Sequence, residues 1–519
     1  MKKALLVLFI TAICAQLVSA QHPNVLISSN QNPSEPAICI DPNNPDVIIA
    51  GANVNAAYYS TDGGLTWTEN FLASSLGERG DPCITVDNAG NFYYFHLAEN
   101  IDRVICQKSE DGGVTWSDGT ATEPANNGQL HDKEWGYADP ITNSVYVTWT
   151  EYEGGFNSAP TDSTNILFAS SFDGAQTWSV PQRINKVRGD CLYKDVVDPN
   201  PATGTNGEVY VTWADSTGIK FDRSLDYGST WLNNDIQVAP VLNSIYYHVE
   251  GNFRDSVRTS TNIKCDLSNS PYRGNIYISW MDDKNGLDNI DIFMAKSTDG
   301  GTSWSQVKRV NDDGGIAQQY YHGMTIDQVT GYLYFIFYDR RNYPNTNLTD
   351  VYMAVSTDGG ETFINFKVSE TPFEANNFAF VGDYLGVAAQ NNVVRPIWVR
   401  VDDFLQTSVM TAIVNLDVVT NIPHQLAPQN TVNIGNYPNP FAQFTTISYT
   451  TTQANTQIQG FLFDMQGKQV ANWQQTAPQT GTYNYTLDVR NLPVGIYACQ
   501  LLINGNSYWH KINKINGIN

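Results

Sequence analysis

Six positions spread along the chain carry side chains able to move protons or grip sugar hydroxyls: Glu35, Asp81, Asp132, Asp190, His322 and Asp383. Acids gathered in one place can set a protonated carboxyl beside an ionised partner, offer oxygen ligands to a structural Ca²⁺, or bind hydroxyls. Each can equally serve the backbone donors of its own loop. Two stretches are denser. "YYHVEGNFRDSVR" gathers His248, Glu250, Arg254 and Asp255, and "VGDYLG" sets Asp383 beside Tyr384. A Glu near a Tyr suits activation of a phenolic nucleophile, and an Arg suits an acidic sugar. The candidate catalytic set is therefore Asp81, Glu250, Asp383 and Tyr384. Arg79, Asp132, Asp190, Arg254, His322, Arg340 and Arg395 are the candidate substrate contacts, although surface pairing is the commoner use of arginine. The metal is left open, with a structural Ca²⁺ as one option, and no cofactor is required.

Residues this far apart need a repeat to bring them together. "STDGGLTW" at Ser60 returns as "SEDGGVTW", "SFDGAQTW", "SLDYGSTW", "STDGGTSW" and "STDGGETF", at spacings of 49 to 73 residues. In this octet the carboxylates of Asp62, Asp111, Asp173, Asp226, Asp299 and Asp358 can accept turn N–H groups, the Gly takes φ values forbidden to side chains, and the Trp anchors the turn. Six copies describe stitching rather than one catalytic centre. Around each octet runs an acid-led apolar strand, a turn opening at Asp41, Asp87, Asp139, Asp198 or Asp327, an aromatic strand such as "SVYVTWTE", a third strand, and a fourth beyond the octet. Four strands per repeat at this period predict an all-β propeller. Three strands after the last octet, closed by "NVLISS" near the start, make seven blades, with six as the alternative. Aligning the repeats by their turns puts Glu35, Asp81, Asp132 and Asp190 near the starts of successive inner strands, with His322 close to the same place and Asp383 in the last blade, as a ring around the channel mouth.

The chain has 519 residues, enough for more than one domain. Residues 1–20 read as a signal peptide, with a basic start, an apolar stretch and a small-residue end. Without them 27 basic residues face 52 acidic ones, a net charge of −25. That balance argues against nucleic acid and anionic membranes as partners. No later stretch is apolar for long enough to span a bilayer. Six cysteines remain without a CxxC pair; most read as core, with a Cys39–Cys83 bridge between neighbouring strands as the alternative.

The octet resembles the Asp-box, or BNR repeat, of the sialidase superfamily over residues 24–415. The resemblance implies a propeller, and for sialidases three arginines on the substrate carboxylate, a Tyr nucleophile partnered by a Glu, and an Asp acid/base. No Arg precedes Arg79, so the arginine segment that normally lies ahead of the first octet is not found.

Composition changes after Leu416. Residues 416–432 read as a linker broken by Pro423 and Pro428, and residues 433–519 as a small β-sandwich of short alternating strands. "NYPNPF", "FDMQGK", "LPVGIYACQL" and the terminal lysines resemble the C-terminal sorting domain of the type IX secretion system. That resemblance implies export through the signal peptide and then the type IX machinery, to the cell surface or the medium. The expected protein is an exported propeller (residues 21–415) acting on an extracellular glycan, by hydrolysis in the leading reading. A binding propeller without turnover, or a polysaccharide lyase using Tyr384 or His248 as base, stand as alternatives.

Overall fold

The computed structural model describes residues 22–419, 434–438 and 441–515, apart from 126–127, 156–158, 160, 194, 242–244, 452–453, 465–467 and 504–505. The signal peptide and most of the linker lie outside the described residues. The chain divides into two compact units, Met1–His424 and Gln425–Asn519.

Seven antiparallel sheets follow one another in the first unit, each built on four strands in up-and-down order. Their inner strands are Ala37–Ile40, Gly80–Val86, Leu130–Ala138, Val197–Thr203, Thr261–Cys265, Gln319–Ile326 and Gly386–Gln390. Each touches the next, and the last touches the first, so the sheets close into a propeller. In the seventh sheet Asn24–Ser28 supplies the fourth strand, pairing with Gln406–Ala412. This joins the two ends of the ring.

Burial explains why the second strands read as continuous apolar runs. Trp149, Trp213, Trp280 and Trp398 occupy matching places in four of them and are fully buried, each contributing a few kcal/mol of apolar burial. Close approach between sheets also selects glycine: a Cβ on Gly136, in the third inner strand, would lie 2.1 Å from the Phe95 ring of the second sheet.

The octets form the turns between third and fourth strands. Ser60 Oγ donates to Asp62 Oδ1 at 2.8 Å and accepts Gly64 N–H at 2.8 Å. Asp62 also takes the N–H groups of Leu65 and Thr66 and the Thr66 hydroxyl, and Trp67 Nε1 closes on Gly64 O. The Thr66 bonds, foremost, hold the Asp62 carboxyl down to about 2. Ser–Asp pairing of the same kind recurs at Asp111, Asp173, Asp226, Asp299 and Asp358. Because strands alternate in direction, these turns lie on the face opposite the inner-strand entries. The stitching and the candidate site are thus at opposite ends of the channel.

One of the five Asp-led turns is corrected. Asp198 does not open a turn after the fourth inner strand; it sits at that strand's entry, within Val197–Thr203. The turn there is Gly204–Glu208, closed by Gly204 N–H on Glu208 O. All six cysteines are free, so Cys39 and Cys83 are not bridged. Phe253–Asp255 and Leu416–Val418 form short 3₁₀ turns.

The second unit packs a three-stranded against a four-stranded sheet. Ile447, Tyr449 and Leu487 of one meet Ile458, Leu462 and Leu501 of the other in a single core.

Candidate functional site

At the entries of the inner strands the backbone repeats an unusual conformation. Glu35, Asp81, Lys133, Asp198 and Tyr321 all have positive φ, between 42° and 58°. Register shifts accompany four of them, at Gly80/Cys83, Asp132/Trp135, Val197/Asn200 and Tyr320/His322. A bulge re-aims the side chain it carries. Here it gathers charged groups of the first four blades, with Asp383 of the seventh, into one cluster.

Lys133 is the hub. Its Nζ lies 2.7 Å from Asp383 Oδ2, 3.0 Å from Asp81 Oδ2 and 3.5 Å from Glu35 Oε1. Burial opposes its charge, but Asp383, Asp81 and Glu35 outweigh that and hold the amine charged well above the usual lysine range. Asn53 braces the cluster, donating to the Glu35 carboxyl while its Oδ1 accepts Asp81 N–H at 2.6 Å. Burial, then the Asp81 charge, pushes the Glu35 carboxyl well above its usual value.

A second pair adjoins the first. Arg258 donates to Asp198 Oδ1 at 2.9 Å from the hairpin Tyr246–His248/Ser256–Arg258. Asp132 senses both pairs: burial, and the charges of Asp81 and Asp198, raise its carboxyl to about 7 against the opposing pull of Lys133 and Arg258. Glu134, buried in the bulge beside it, is raised well above its usual range, chiefly by burial. Carboxyls outnumber the cations Lys133 and Arg258. Burial and mutual repulsion shift Glu35, Glu134 and Asp132 upward, towards their neutral forms.

The candidates read from sequence divide sharply. Asp81, Asp383 and Asp132 are in the cluster, and Asp383 is its accessible member, with 44% of its side chain exposed. Tyr384 lies under it: buried, edge-on to Trp135 and donating to Pro82 O at 3.0 Å, with burial raising its phenol far out of reach of neutral pH. Asp190 belongs to Gly189–Asp190, which pairs with the third strand of its sheet, and its carboxylate accepts Leu192 N–H at 2.9 Å. His322 is buried in the wall against Ser279 Oγ at 2.9 Å and is lowered to about 4 by burial. Arg340 packs on the Tyr320 ring and bonds Gln318 and Thr349. Arg395 donates to Gly63 O at 2.7 Å, joining the seventh sheet to the first octet on the opposite face. Arg79 and Glu250 are exposed, Glu250 on the hairpin's connection. The Arg254 side chain lies outside the described residues.

Sequence reading missed Lys133, Asp198, Arg258, Asn53 and Glu134. A signal existed for two of them. Counting back six residues from the turn acids Asp41, Asp87, Asp139 and Asp327 lands on Glu35, Asp81, Lys133 and Tyr321, the left-handed positions. The repeated acid–proline pairs Glu35–Pro36, Asp81–Pro82 and Asp198–Pro199 mark the same place. The ring of acids also carries its own counter-charge: Lys133 supplies the cation at its centre. Among the described residues no group of three or more His, Cys, Asp or Glu is placed to hold a metal ion.

Residues 436–515 match the family model described as the secretion system C-terminal sorting domain. This part of the chain marks the protein for secretion. No curated protein matches the chain. Similar solved structures include an α-L-arabinofuranosidase of Fusarium graminearum, with 12% identity, 65% of this chain and 98% of that one covered, and a TM-score of 0.41. A Hadza microbial sialidase has 14% identity, 72% and 75% coverage and a TM-score of 0.40. An α-L-arabinanase of Penicillium chrysogenum has 13% identity, 67% and 98% coverage and a TM-score of 0.38.

Proposed function

We propose that the protein is a secreted propeller that hydrolyses a neutral extracellular glycan at the Lys133-centred mouth. The observation that carries this reading is the Lys133 ammonium, which pairs with the accessible Asp383 at 2.7 Å while its charge opposes the burial that raises the Asp132 carboxyl to about 7. Neighbouring carboxyls with different protonation preferences are the arrangement glycoside hydrolysis uses. Asp132 gives its proton to the leaving glycosidic oxygen as the C–O bond breaks. Water adds to the anomeric carbon and its proton passes to Asp383. Asp81 and Lys133 fix the orientation of Asp383.

Charge supports a neutral sugar over an acidic one. Carboxyls crowd the mouth, and the cations found there among the described residues, Lys133 and Arg258, are already paired. The same crowding disfavours a uronate-cleaving lyase, as does the engagement of the buried Tyr384 hydroxyl on Pro82 O. Delivery by a sorting domain supports an extracellular polymer as the target, and with it export through the type IX machinery to the surface or medium.

A second reading, recognition without turnover, is favoured by the engagement of Asp81, Asp383 and Asp198 in ion pairs. Product analysis of the mature protein on neutral, sialylated and uronate-containing glycans tests both. Fragments from neutral glycans that disappear with Asp132→Asn support hydrolysis; retained binding with no products supports recognition. Products from sialylated or uronate glycans alone would overturn the neutral-sugar reading.

A further inference from the structure

Beyond the mouth, towards the octet face, the axial channel holds a cavity of about 400 Å³. Ile38, Ile84, Met324 and Val387 line it, together with Trp135 and the polar side chains of Asn200, Asn262 and Gln328. Lys264, on the fifth inner strand, is the one charged side chain among the residues that line it. Its ammonium lies over the Tyr137 ring at 5.8 Å, and among the described residues it has no carboxylate in ion-pairing reach. Lys133, Lys220 and Lys296 each reach an acid. Burial lowers the Lys264 amine pKa. The titratable groups that face it are the Cys39 and Cys83 thiols, each pushed up to about 12 by burial, and the Tyr137 phenol, also raised by burial. None of these supplies a negative charge near neutral pH.

A lone cation in an apolar channel is stabilised by an anion that brings its own apolar surface. We propose that this cavity binds a small organic monoanion, a carboxylate whose charged end pairs with Lys264 while its apolar body lies against Ile38, Ile84, Met324 and Val387. The volume falls in the range of small-molecule sites. Uptake of the anion favours the protonated amine, so affinity falls as pH rises through the amine's own titration. This site is separate from the mouth and does not depend on any reaction there.

Calorimetric titration of the full-length mature protein with hexanoate, and with its uncharged counterpart hexanamide, tests the proposal. The expected result is hexanoate binding at least about tenfold tighter than hexanamide at pH 7. The advantage should disappear in Lys264→Met and shrink in the wild type at pH 10. Equal affinities for the two probes, no binding of either, or a hexanoate preference that survives Lys264→Met would each overturn it. Should Lys264→Met fail to fold, the two probes on the wild type at the two pH values decide.

Discussion

Replacing Lys133 with Met removes the ammonium shared by Asp383, Asp81 and Glu35 while keeping an apolar stem of similar length. Breaking a buried ion pair from one side costs about 3–5 kcal/mol. Because 44% of the Asp383 side chain meets solvent, the lower end, about 3 kcal/mol, is the expected loss. For a unit of roughly 400 residues, with an unfolding entropy of about 2.1 cal/mol/K per residue, that is a fall of about 4 °C in the propeller's Tm. The sign with pH is specific. In the wild type the folded lysine pKa is raised, so its contribution is fully present below the unfolded value of about 10.4 and is lost only as pH rises through the folded value. In the variant the carboxyls lose their counter-charge and the fold prefers them protonated, so acidification stabilises the variant relative to the wild type. Scanning calorimetry of both proteins should give a Tm gap of about 4 °C at pH 8 that narrows by half or more at pH 5. A gap under about 1 °C at pH 8, or one unchanged at pH 5, would refute an electrostatically held mouth.

Four further outcomes follow from the same geometry. Asp132→Asn should lower kcat/KM on a neutral glycan by about 10²–10⁴-fold and abolish the alkaline fall near pH 7 expected of the wild-type profile. Its raised pKa also adds stability that is complete below the unfolded Asp value of about 3.9 and lost as pH rises through about 7, and the Asn variant should lack that slope. Tyr384→Phe should lose about 1 kcal/mol, through the bond to Pro82 O, and keep activity within about threefold; a hundredfold loss would restore the phenol to the chemistry. Arg395→Met should cost about 2 kcal/mol in chemical denaturation with turnover intact, since it holds Gly63 O on the far face. Deleting residues 436–515 should leave the protein inside the cell, as read by fractionation and immunoblot; normal release would refute its role in export.

The propeller was legible because its information is local. Each octet carries its own acceptor, glycine and aromatic anchor within eight residues, so it reads as a turn without knowledge of the rest. The inner-strand entries were legible in type but not in register. Asp132 was placed where Lys133 projects, because a bulge inserts residues that no alternation of apolar and polar side chains reveals. Asp190 was chosen over Asp198 for a different reason: Asp198–Pro199 looks like the start of a tight turn, and only pairing with Val209–Asp215 shows it entering a strand. Arg258 reaches the mouth from a hairpin outside the four-strand repeat, so no repeat alignment could have found it.

The left-handed residues argue that the mouth is more than the open end of a ring. For non-glycine residues this conformation costs about 1–2 kcal/mol each, less for Asp. Ring closure does not demand it, as the fifth sheet shows: Thr261–Cys265 pairs with Ile276–Asp282 without a register shift, and no positive φ occurs at its entry. The left-handed conformation recurs at the entries that bring Glu35, Asp81, Lys133, Asp198 and Tyr321 around one opening, and hydrogen bonds there offset its cost. Asp81 is tied through its N–H to Asn53, Asp198 through its carboxylate to Arg258, and Tyr321 through its hydroxyl to Asn252. Sheets that needed only to pack would relax to the geometry of the fifth. That four of the five left-handed entries carry charged side chains, Tyr321 being the exception, is the strongest reason, within the fold itself, to place function at this end of the channel.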